Sequence, residues 1–524
     1  MRNYPLYEHP QITNFRELVE LRAKESPNGI AFQYLERKEK VSVTYQQFKN
    51  DIVALGSFIF DQGLQDTKIA VIGENSYHWI LTYFSVVLGA NTIVPIDKEL
   101  ALDDIQTLLI RCGATALVYS NSYADIAEDM LEKHVVQKIF NMKEFSTYLD
   151  AGRKIIRDGM RDFVIGENNE NKVCSIIFTS GTTGVPKGVM LTQKSLMADA
   201  MGACLIASVY GPSLLTLPLH HTFAFTTSVL AMLVYNVPIC INKSLRTFNS
   251  NMQAFQPQNM FLVPLYVETM YKTIWKTAAE QKKDRILRSL ISVSNILRKC
   301  GIDLRKKLFR SVLERFGGNL DLIICGGAAL DQKYIDGLTE LGILVLNGYG
   351  ITECSPVVAV NRNRYFKRNS IGMPLPNCEV RIIDDEICVR GDIVMTGYYE
   401  DEAATQESMI DGWFKTGDLG YLDNDGFLYI TGRKKNLIIL SNGKNVSPEE
   451  LEAKLLNISG IQEVVVYAEN DLITAEIFAE DQNGIREAVD ALNKQLPTYQ
   501  RIQNIEFRSE EFEKTTTKKI KRLH

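Results

Sequence analysis

Three short apolar runs, KIAVIGE from Lys68, TIVPID from Thr92 and TALVYS from Thr115, are separated by segments whose apolar residues fall at helical spacing. Strands without polar alternation are buried on both faces, and strands that alternate with helices pair in parallel with the helices covering both sides. The rhythm repeats from IIFTS through LLTLPL, PICI, MFLVP and LDLIICGGAAL to ILVLNGYG. The chain is therefore expected to be α/β, with a large part built from doubly wound αβα sheets. In such sheets ligands sit beyond the carboxyl ends of the strands, where the glycine-rich turns after IIF, LIIC and LVLN fall. After about residue 365 short strands and hairpin turns, as in VRIIDDEICVRG and LDNDGFLYITG, predict a small β-subdomain. From about Leu437 a helix, PEELEAKLLN, two strands, EVVVYAE and LITAEIFAE, and a second helix, IREAVDALNKQL, predict a small α+β domain.

Two uncharged stretches, His78 to Ile96 and Phe223 to Ile241, are as long as a membrane span. Each breaks midway, at Gly89-Ala90-Asn91 and at Asn236-Val237-Pro238, and resumes with β-branched residues. A buried helix followed by a buried strand accounts for both. The start, MRNYPLYEHPQ, has neither a basic nor an apolar stretch, so no signal peptide is expected. Nine scattered cysteines, none in a CxxC spacing, suit a reducing compartment, and a cytoplasmic protein is expected. A net charge of −5 and the lack of nucleic-acid-binding motifs exclude nucleic acid as the expected partner.

The decapeptide TSGTTGVPKG, residues 179 to 188, has the small, hydroxylated and lysine residues of a phosphate-wrapping loop. It is not a P-loop: five residues on from Gly181 stands Pro186, and Lys187 is followed by Gly188. The apolar VCSIIF before it and GVML after it predict a strand, a polar loop and a second strand, with a helix starting only at Thr192.

Further motifs follow in fixed order: LPLHHTFAF (217 to 225), NGYGITE (347 to 353), WFKTGD (413 to 418), GRKKN (432 to 436) and KTTTKKIKR (514 to 522). Together they resemble the adenylate-forming superfamily of acyl-CoA synthetases, peptide-synthetase adenylation domains and luciferases. GRKKN and the tail are most similar to long-chain fatty acyl-CoA synthetases. The resemblance covers nearly the whole chain and implies a first domain, 1–434, carrying the ATP and acyl sites, and a mobile C-terminal domain, 435–524. It implies conversion of a carboxylate and ATP to an acyl-adenylate and pyrophosphate, then displacement of AMP by the thiol of coenzyme A. ATP, Mg2+ and coenzyme A are the implied cofactor set.

By that resemblance Thr179, Ser180, Gly181, Thr182, Thr183, Gly184 and Lys187 form the phosphate loop, and Glu353, after Thr352, holds magnesium. Gly327, Ala328 and Ala329 in the GGAA turn, with Asn347, Gly348, Tyr349 and Gly350, resemble the adenine slot. Asp418 accepts from the ribose hydroxyls, and Arg433 adds a charged donor on the same side. Lys519 matches the lysine that reaches the α-phosphate and carboxylate, although Lys518 stands where the family has glycine and offers a second register. Lys435 falls at the family's hinge, which turns one face of the small domain for adenylation and another, with Gly443, Lys444 and Asn445, for thiol transfer. His221 aligns with a residue near the carboxylate, and Phe225 with an acyl gate.

FAFTTSVLAML contains no acid to hold an amine, so the expected substrate is an apolar acyl chain, medium or long. Chain length is not set by these motifs, because one buried methylene changes binding by only about 0.8 kcal/mol. Between Lys272 and Arg315 stand 13 Lys or Arg against 4 Asp or Glu. Two amphipathic helices with solvated basic faces would explain this. So would a landing surface for coenzyme A, an acidic acyl carrier protein or anionic lipid, the last as peripheral contact. Coenzyme A is the expected acceptor, with a carrier protein as the alternative and a non-catalytic sensor of acyl-adenylate or fatty acid as the third reading.

Overall fold

The computed structural model describes residues 4–159, 163, 169–179, 186–441, 444–469, 472–514 and 520–522. Two large sheets carry the first part of the chain. In the seven-stranded sheet, Val173–Thr179, Thr92–Pro95, Lys68–Ile72, Ala116–Tyr119 and Lys138–Asn141 run parallel in that spatial order. Lys187–Thr192 then pairs antiparallel with Val173–Thr179, and Gly397–Tyr398 closes that edge. The nine-stranded sheet is parallel through its middle, from Leu344–Gly350 across Leu322–Cys325, Asn259–Leu262, Ser213–Leu215 and Ile239–Ile241 to Ile30–Glu36.

Both stretches of membrane-span length are α/β units. Ser76 accepts a hydrogen bond from the Trp79 amide and starts the helix Tyr77–Leu88, which buries every residue except His78 and ends at Gly89 before the strand Thr92–Pro95. A helix apolar all round is stable in water only when packed on all sides. Here the main core surrounds it, including Phe15, Phe48 and Phe225. The second stretch is helical from Thr222 to Tyr235, with a π-helical turn over Thr226–Leu230, and ends at Asn236 in the left-handed conformation. Among the described residues no helix is long and apolar enough to cross a membrane.

A five-stranded antiparallel sheet follows, with the hairpin Cys378–Ile383 and Glu386–Gly391 turning through Asp384 and Asp385, both at positive φ. Primed turns of this kind match the right-handed twist of the strands they join. The last unit packs the helices Pro448–Leu455 and Ile485–Asn493 on the strands Glu463–Glu469, Leu472–Phe478 and Asn504–Arg508, around a core of its own from Ile438 to Ile502. The basic segment differs from the expected pair of helices. It comprises the end of Pro264–Glu280, the helix Asp284–Lys299 and two single turns, Arg305–Leu308 and Arg310–Leu313. The break between the turns falls at Phe309, whose side chain is buried in the second core.

Candidate active site

Antiparallel pairing places Thr179 directly opposite Lys187, so the two strands deliver both ends of the candidate phosphate loop to one point. The Thr179 hydroxyl donates to the Lys187 carbonyl at 3.4 Å. Ser180, Gly181, Thr182, Thr183 and Gly184 lie outside the described residues. The Lys187 ammonium sits 4.7 Å from the centre of the Tyr398 ring, and the Tyr398 hydroxyl donates to Glu353 Oε1 at 2.9 Å. Burial, and next the Glu353 charge, raise the Tyr398 pKa, so the phenol keeps its proton and remains a donor.

Tyr398 was not singled out in the sequence. It reaches this point because Gly397–Tyr398 adds an edge strand beside Lys187–Thr192, with Tyr398 opposite Val189. Gly397 is required there: at φ +149 a Cβ would stand 2.9 Å from Thr405 Cγ2. Thr352 and Glu353 lie in a single 3-10 turn held by the Met395 amide, which donates to the Glu353 carbonyl at 2.8 Å. Behind it the fully buried Asp199 accepts from the Val357 amide at 2.7 Å. Its other oxygen has no hydrogen-bond partner among the described residues, and burial raises its carboxyl pKa well above the ordinary range.

Asp418 and Arg433 are direct cross-strand partners in the β-subdomain. Arg433 Nε donates to Asp418 Oδ1 at 2.7 Å, and the Tyr349 hydroxyl donates to Asp418 Oδ2 at 2.6 Å. Partial burial works against the Arg433 charge, but Asp418 more than offsets it and holds the guanidinium above its ordinary pKa. Tyr349 is pushed well above its own ordinary value, first by burial and then by Asp418. Tyr349 thus gives a ring to the cavity described below and its hydroxyl to the carboxylate expected to meet the ribose. Asn347 lies next to Cys325 across the parallel strands, and its Oδ1 is buried with no hydrogen-bond partner among the described residues. A buried acceptor without a partner is costly, and an adenine amino group would satisfy it. Gly348 and Gly350 keep the backbone on either side of Tyr349 bare, and Gly327, at φ +90, turns the chain out of Leu322–Cys325 toward the exposed Ala328 and Ala329.

One apolar cavity of about 70 Å³ runs from Gly327 and Tyr349 along Phe223, Thr227 and Ala231, and no charged side chain lines it. Phe225 does not border it. Two helical positions turn a side chain by about 200°, so Phe225 points away from the Phe223 face. It stacks 3.7 Å from Tyr83 in the aromatic core, 2% exposed, and Phe223 is the phenylalanine of this turn that lines the cavity. His221 caps the start of this helix, 4.1 Å from the His220 ring. His220 Nε2 is 3.4 Å from Asp97 Oδ1, a distance that suits an ion pair. Burial, and next His221, hold its pKa well below the ordinary value, so the contact involves a neutral imidazole. Asn75 fixes this segment, accepting from the Leu219 amide at 3.1 Å and donating to the Leu217 carbonyl at 2.9 Å.

Lys435 lies in the turn Lys434–Asn436, whose two ends are held to different parts of the molecule. Lys434 pairs with the buried Glu386 of the β-subdomain at 2.7 Å, whereas Asn436 donates to Glu449 of the last unit at 2.6 Å. Asn445 lies in the short hairpin that follows, and Lys444 stands over Tyr499 within the last unit. Gly443 and Lys519 lie outside the described residues. Among the described residues of the tail, Lys514 and Ile520 form an antiparallel bridge, and Arg522 donates to Glu452 at 2.6 Å.

Among the described residues no three acidic, histidine or cysteine side chains form a metal-binding group. Glu353 alone fits a magnesium ion that takes most of its oxygens from phosphates and water, the usual arrangement beside a nucleotide.

The family described as AMP-binding enzyme matches residues 19–399. The chain is similar to a long-chain-fatty-acid–CoA ligase, FadD15, of Mycobacterium bovis, with 29% identity over 489 residues covering 86% of this chain and 80% of the relative. Its fold is similar to that of a Mycobacterium tuberculosis fatty acyl CoA synthetase, with a TM-score of 0.69 and 22% identity over 97% of this chain and 96% of the other. It is also similar to O-succinylbenzoate coenzyme A synthetase from Bacillus subtilis in complex with ATP and magnesium ion, with a TM-score of 0.74 and 21% identity over 96% and 98% of the two chains.

Proposed function

Since the chain belongs to the AMP-binding enzyme family, we propose that it activates a fatty carboxylic acid with ATP and transfers the acyl group to coenzyme A, releasing AMP and pyrophosphate. The observation that carries this reading is adjacency. An uncharged apolar cavity ends at Tyr349, whose hydroxyl holds Asp418 beside Arg433. A nucleotide site and an alkyl site thus share one wall.

In the first half-reaction a carboxylate oxygen attacks the α-phosphorus, the bond to the bridging oxygen breaks, and pyrophosphate leaves with the electron pair. Lys187 and the loop hydroxyls stabilise the charge that collects on the leaving group. Glu353 would hold magnesium, which when bound would supply neutralisation of phosphate charge. Asp418 and Arg433 orient the ribose, Asn347 accepts from adenine, and His221 lies toward the carboxylate. Lys519 supplies the cation at the attacking carboxylate. In the second half-reaction the coenzyme A thiol loses its proton, sulfur attacks the acyl carbon, and AMP departs. Residues 1–434 hold the substrates, and residues 435–524 swing about Lys435 to present Lys519 first and the Gly443, Lys444 and Asn445 side next.

A panel of carboxylates tests the reading through pyrophosphate release and acyl-CoA formation. Release with fatty acids but acyl transfer only to a carrier protein would replace the acceptor; no release with any acid would leave a binder rather than an enzyme. Lys519→Ala should reduce pyrophosphate release by about 10² to 10³. The same variant should keep transfer from supplied acyl-adenylate, and equal loss of both would remove the lysine from its role.

The helix Asp284–Lys299 favours a membrane over a carrier protein as what its surface meets. Ile286, Val293 and Ile296 are 59%, 49% and 63% exposed, and Arg285, Arg288 and Lys299 accompany them on its exposed side. Apolar side chains bordered by cations suit the headgroup region of an anionic bilayer. Cosedimentation with phosphatidylglycerol vesicles, absent with phosphatidylcholine and lost in Ile286→Ser/Ile296→Ser, is the expected result. Equal binding to both vesicles, or to neither, would remove the contact.

A further inference from the structure

The cavity lining contains a regular stripe. Phe223, Thr227, Ala231 and Tyr235 recur every four residues along one helix, so the cavity follows that helix lengthwise instead of crossing it. Twelve residues at the α-helical rise span about 18 Å, the reach of an extended chain of on the order of a dozen carbons. The helix Gln193–Ile206 and the residue that caps it add Ala203 and Ala207 to the lining, and Val209, Phe261, Val357 and Val360 keep it apolar.

Tyr235 stands at the end of the stripe away from Phe223, and its hydroxyl donates to the Ala207 carbonyl at 2.5 Å, tying the ends of the two helices together. Immediately after it Asn236 adopts the left-handed conformation and stops the helix, while its side chain donates to Ser26 at 3.0 Å. Behind the ring lies the N-terminal segment. His9 packs edge-on against Tyr235 with centroids 5.2 Å apart, and the Tyr7 amide donates to the Leu205 carbonyl at 2.8 Å. The same segment is held farther back by Arg362, which bonds to the Pro5 carbonyl, and by Tyr365 against Tyr4. Tyr235 is therefore braced from outside, and a tail methyl that reaches it meets a wall.

We infer that Tyr235 is the floor of the acyl tunnel and sets the maximum chain length, making the preferred substrate an unbranched acid of about a dozen carbons. This rests on the fatty acyl reading of the cavity. Each methylene buried short of the floor adds about fourfold in affinity, and a methylene beyond it gains nothing and must bend or displace the ring.

The test uses straight-chain acids from octanoate to eicosanoate on the full chain, measuring both kcat/KM by pyrophosphate release and binding by displacement of a fluorescent fatty acid. In the wild type both quantities should rise to an optimum near twelve to fourteen carbons, about the span of the stripe, and then stop rising. Tyr235→Ala should move the optimum longer by two or more carbons, about half a helical turn of added depth. Tyr235→Phe, which keeps the ring and loses only the bond to Ala207, should leave the optimum in place. Ala231→Leu, one turn nearer the mouth, should move it shorter and guards against failure of Tyr235→Ala to fold. An optimum that stays fixed in both Tyr235→Ala and Ala231→Leu, with all acids weakened alike, would overturn the floor. A shifted binding optimum without pyrophosphate release in any variant would support the floor and overturn the ligase reading instead.

Discussion

Tyr398 stands between the two charged groups proposed to meet the phosphates and magnesium: its ring faces Lys187 and its hydroxyl donates to Glu353. A group that orients a metal-holding carboxylate typically matters by 10-fold to 100-fold when removed. Tyr398→Phe should therefore slow pyrophosphate release by about tenfold and raise the magnesium needed for half-maximal rate. An unchanged magnesium dependence would separate Tyr398 from the metal. Asp199 holds the start of the strand that follows this turn, at Val357, and its raised pKa fixes the sign of a stability effect. Between the unfolded value, near 3.9, and the higher folded value, only the unfolded chain releases the proton, so stability falls as pH rises through that window. Asp199→Asn lacks this term. Its stability relative to wild type should climb by up to about 1.4 kcal/mol per pH unit from pH 5 upward. A gap between their urea midpoints that does not vary with pH would place the carboxyl in an ordinary environment. Lys187, Glu353, Asp418 and Arg433 are put forward by the resemblance of their motifs, and the structure brings Lys187 and Glu353 to Tyr398 and pairs Arg433 with Asp418. Tyr398 was not legible in the sequence, because its neighbour Val189 is brought to it only by an edge pairing between distant segments. Phe225 follows from the resemblance alone, and a run apolar on all sides carries no phase of its own to say which side faces the cavity.

At the level of elements, the turn Lys434–Asn436 has the construction of a pivot, with Lys434 held to Glu386 on one side and Asn436 to Glu449 on the other. Lys435→Pro fixes φ between those two anchors and restricts the preceding residue as well. It should change the two half-reactions unequally, with acyl transfer from supplied acyl-adenylate and pyrophosphate release falling by different factors. Identical rates to wild type in both assays would move the pivot elsewhere. The parallel strands and their helices were readable from apolar runs, and the hairpin through Asp384 and Asp385 from its turn residues. The hairpin Ile30–Glu36 with Glu39–Thr44 escaped, since it turns through Arg37 and Lys38, both at positive φ with no glycine or asparagine to announce it. Asn504–Arg508 escaped for another reason. It is an edge strand whose charged alternation, NIEFR, resembles a solvated loop until Leu472–Phe478 is seen beside it in parallel.

Across the whole molecule, the core from Ile438 to Ile502 is separate from the clusters that hold the two large sheets. Units with separate cores and few cross-contacts lose two-state behaviour. All three tryptophans, Trp79, Trp275 and Trp413, lie before that core, so fluorescence reports the large part alone and far-ultraviolet circular dichroism reports both. The two urea unfolding curves should therefore not coincide; superimposable curves would show one cooperative unit. The division was readable from the change of texture after about residue 365 and Leu437, but the way the tail returns to its unit was not. Glu452 keeps only 13% of its side chain exposed, and Arg522, which neutralises it, comes 70 residues later. Chains are made from the N-terminus and fold as they emerge. On the ribosome, then, the small unit must wait with a carboxylate it can neither solvate fully nor pair. A chain released before Arg522 is added would carry that defect in an otherwise complete core, leaving truncated products open to proteolysis before they can compete with finished ones for substrate.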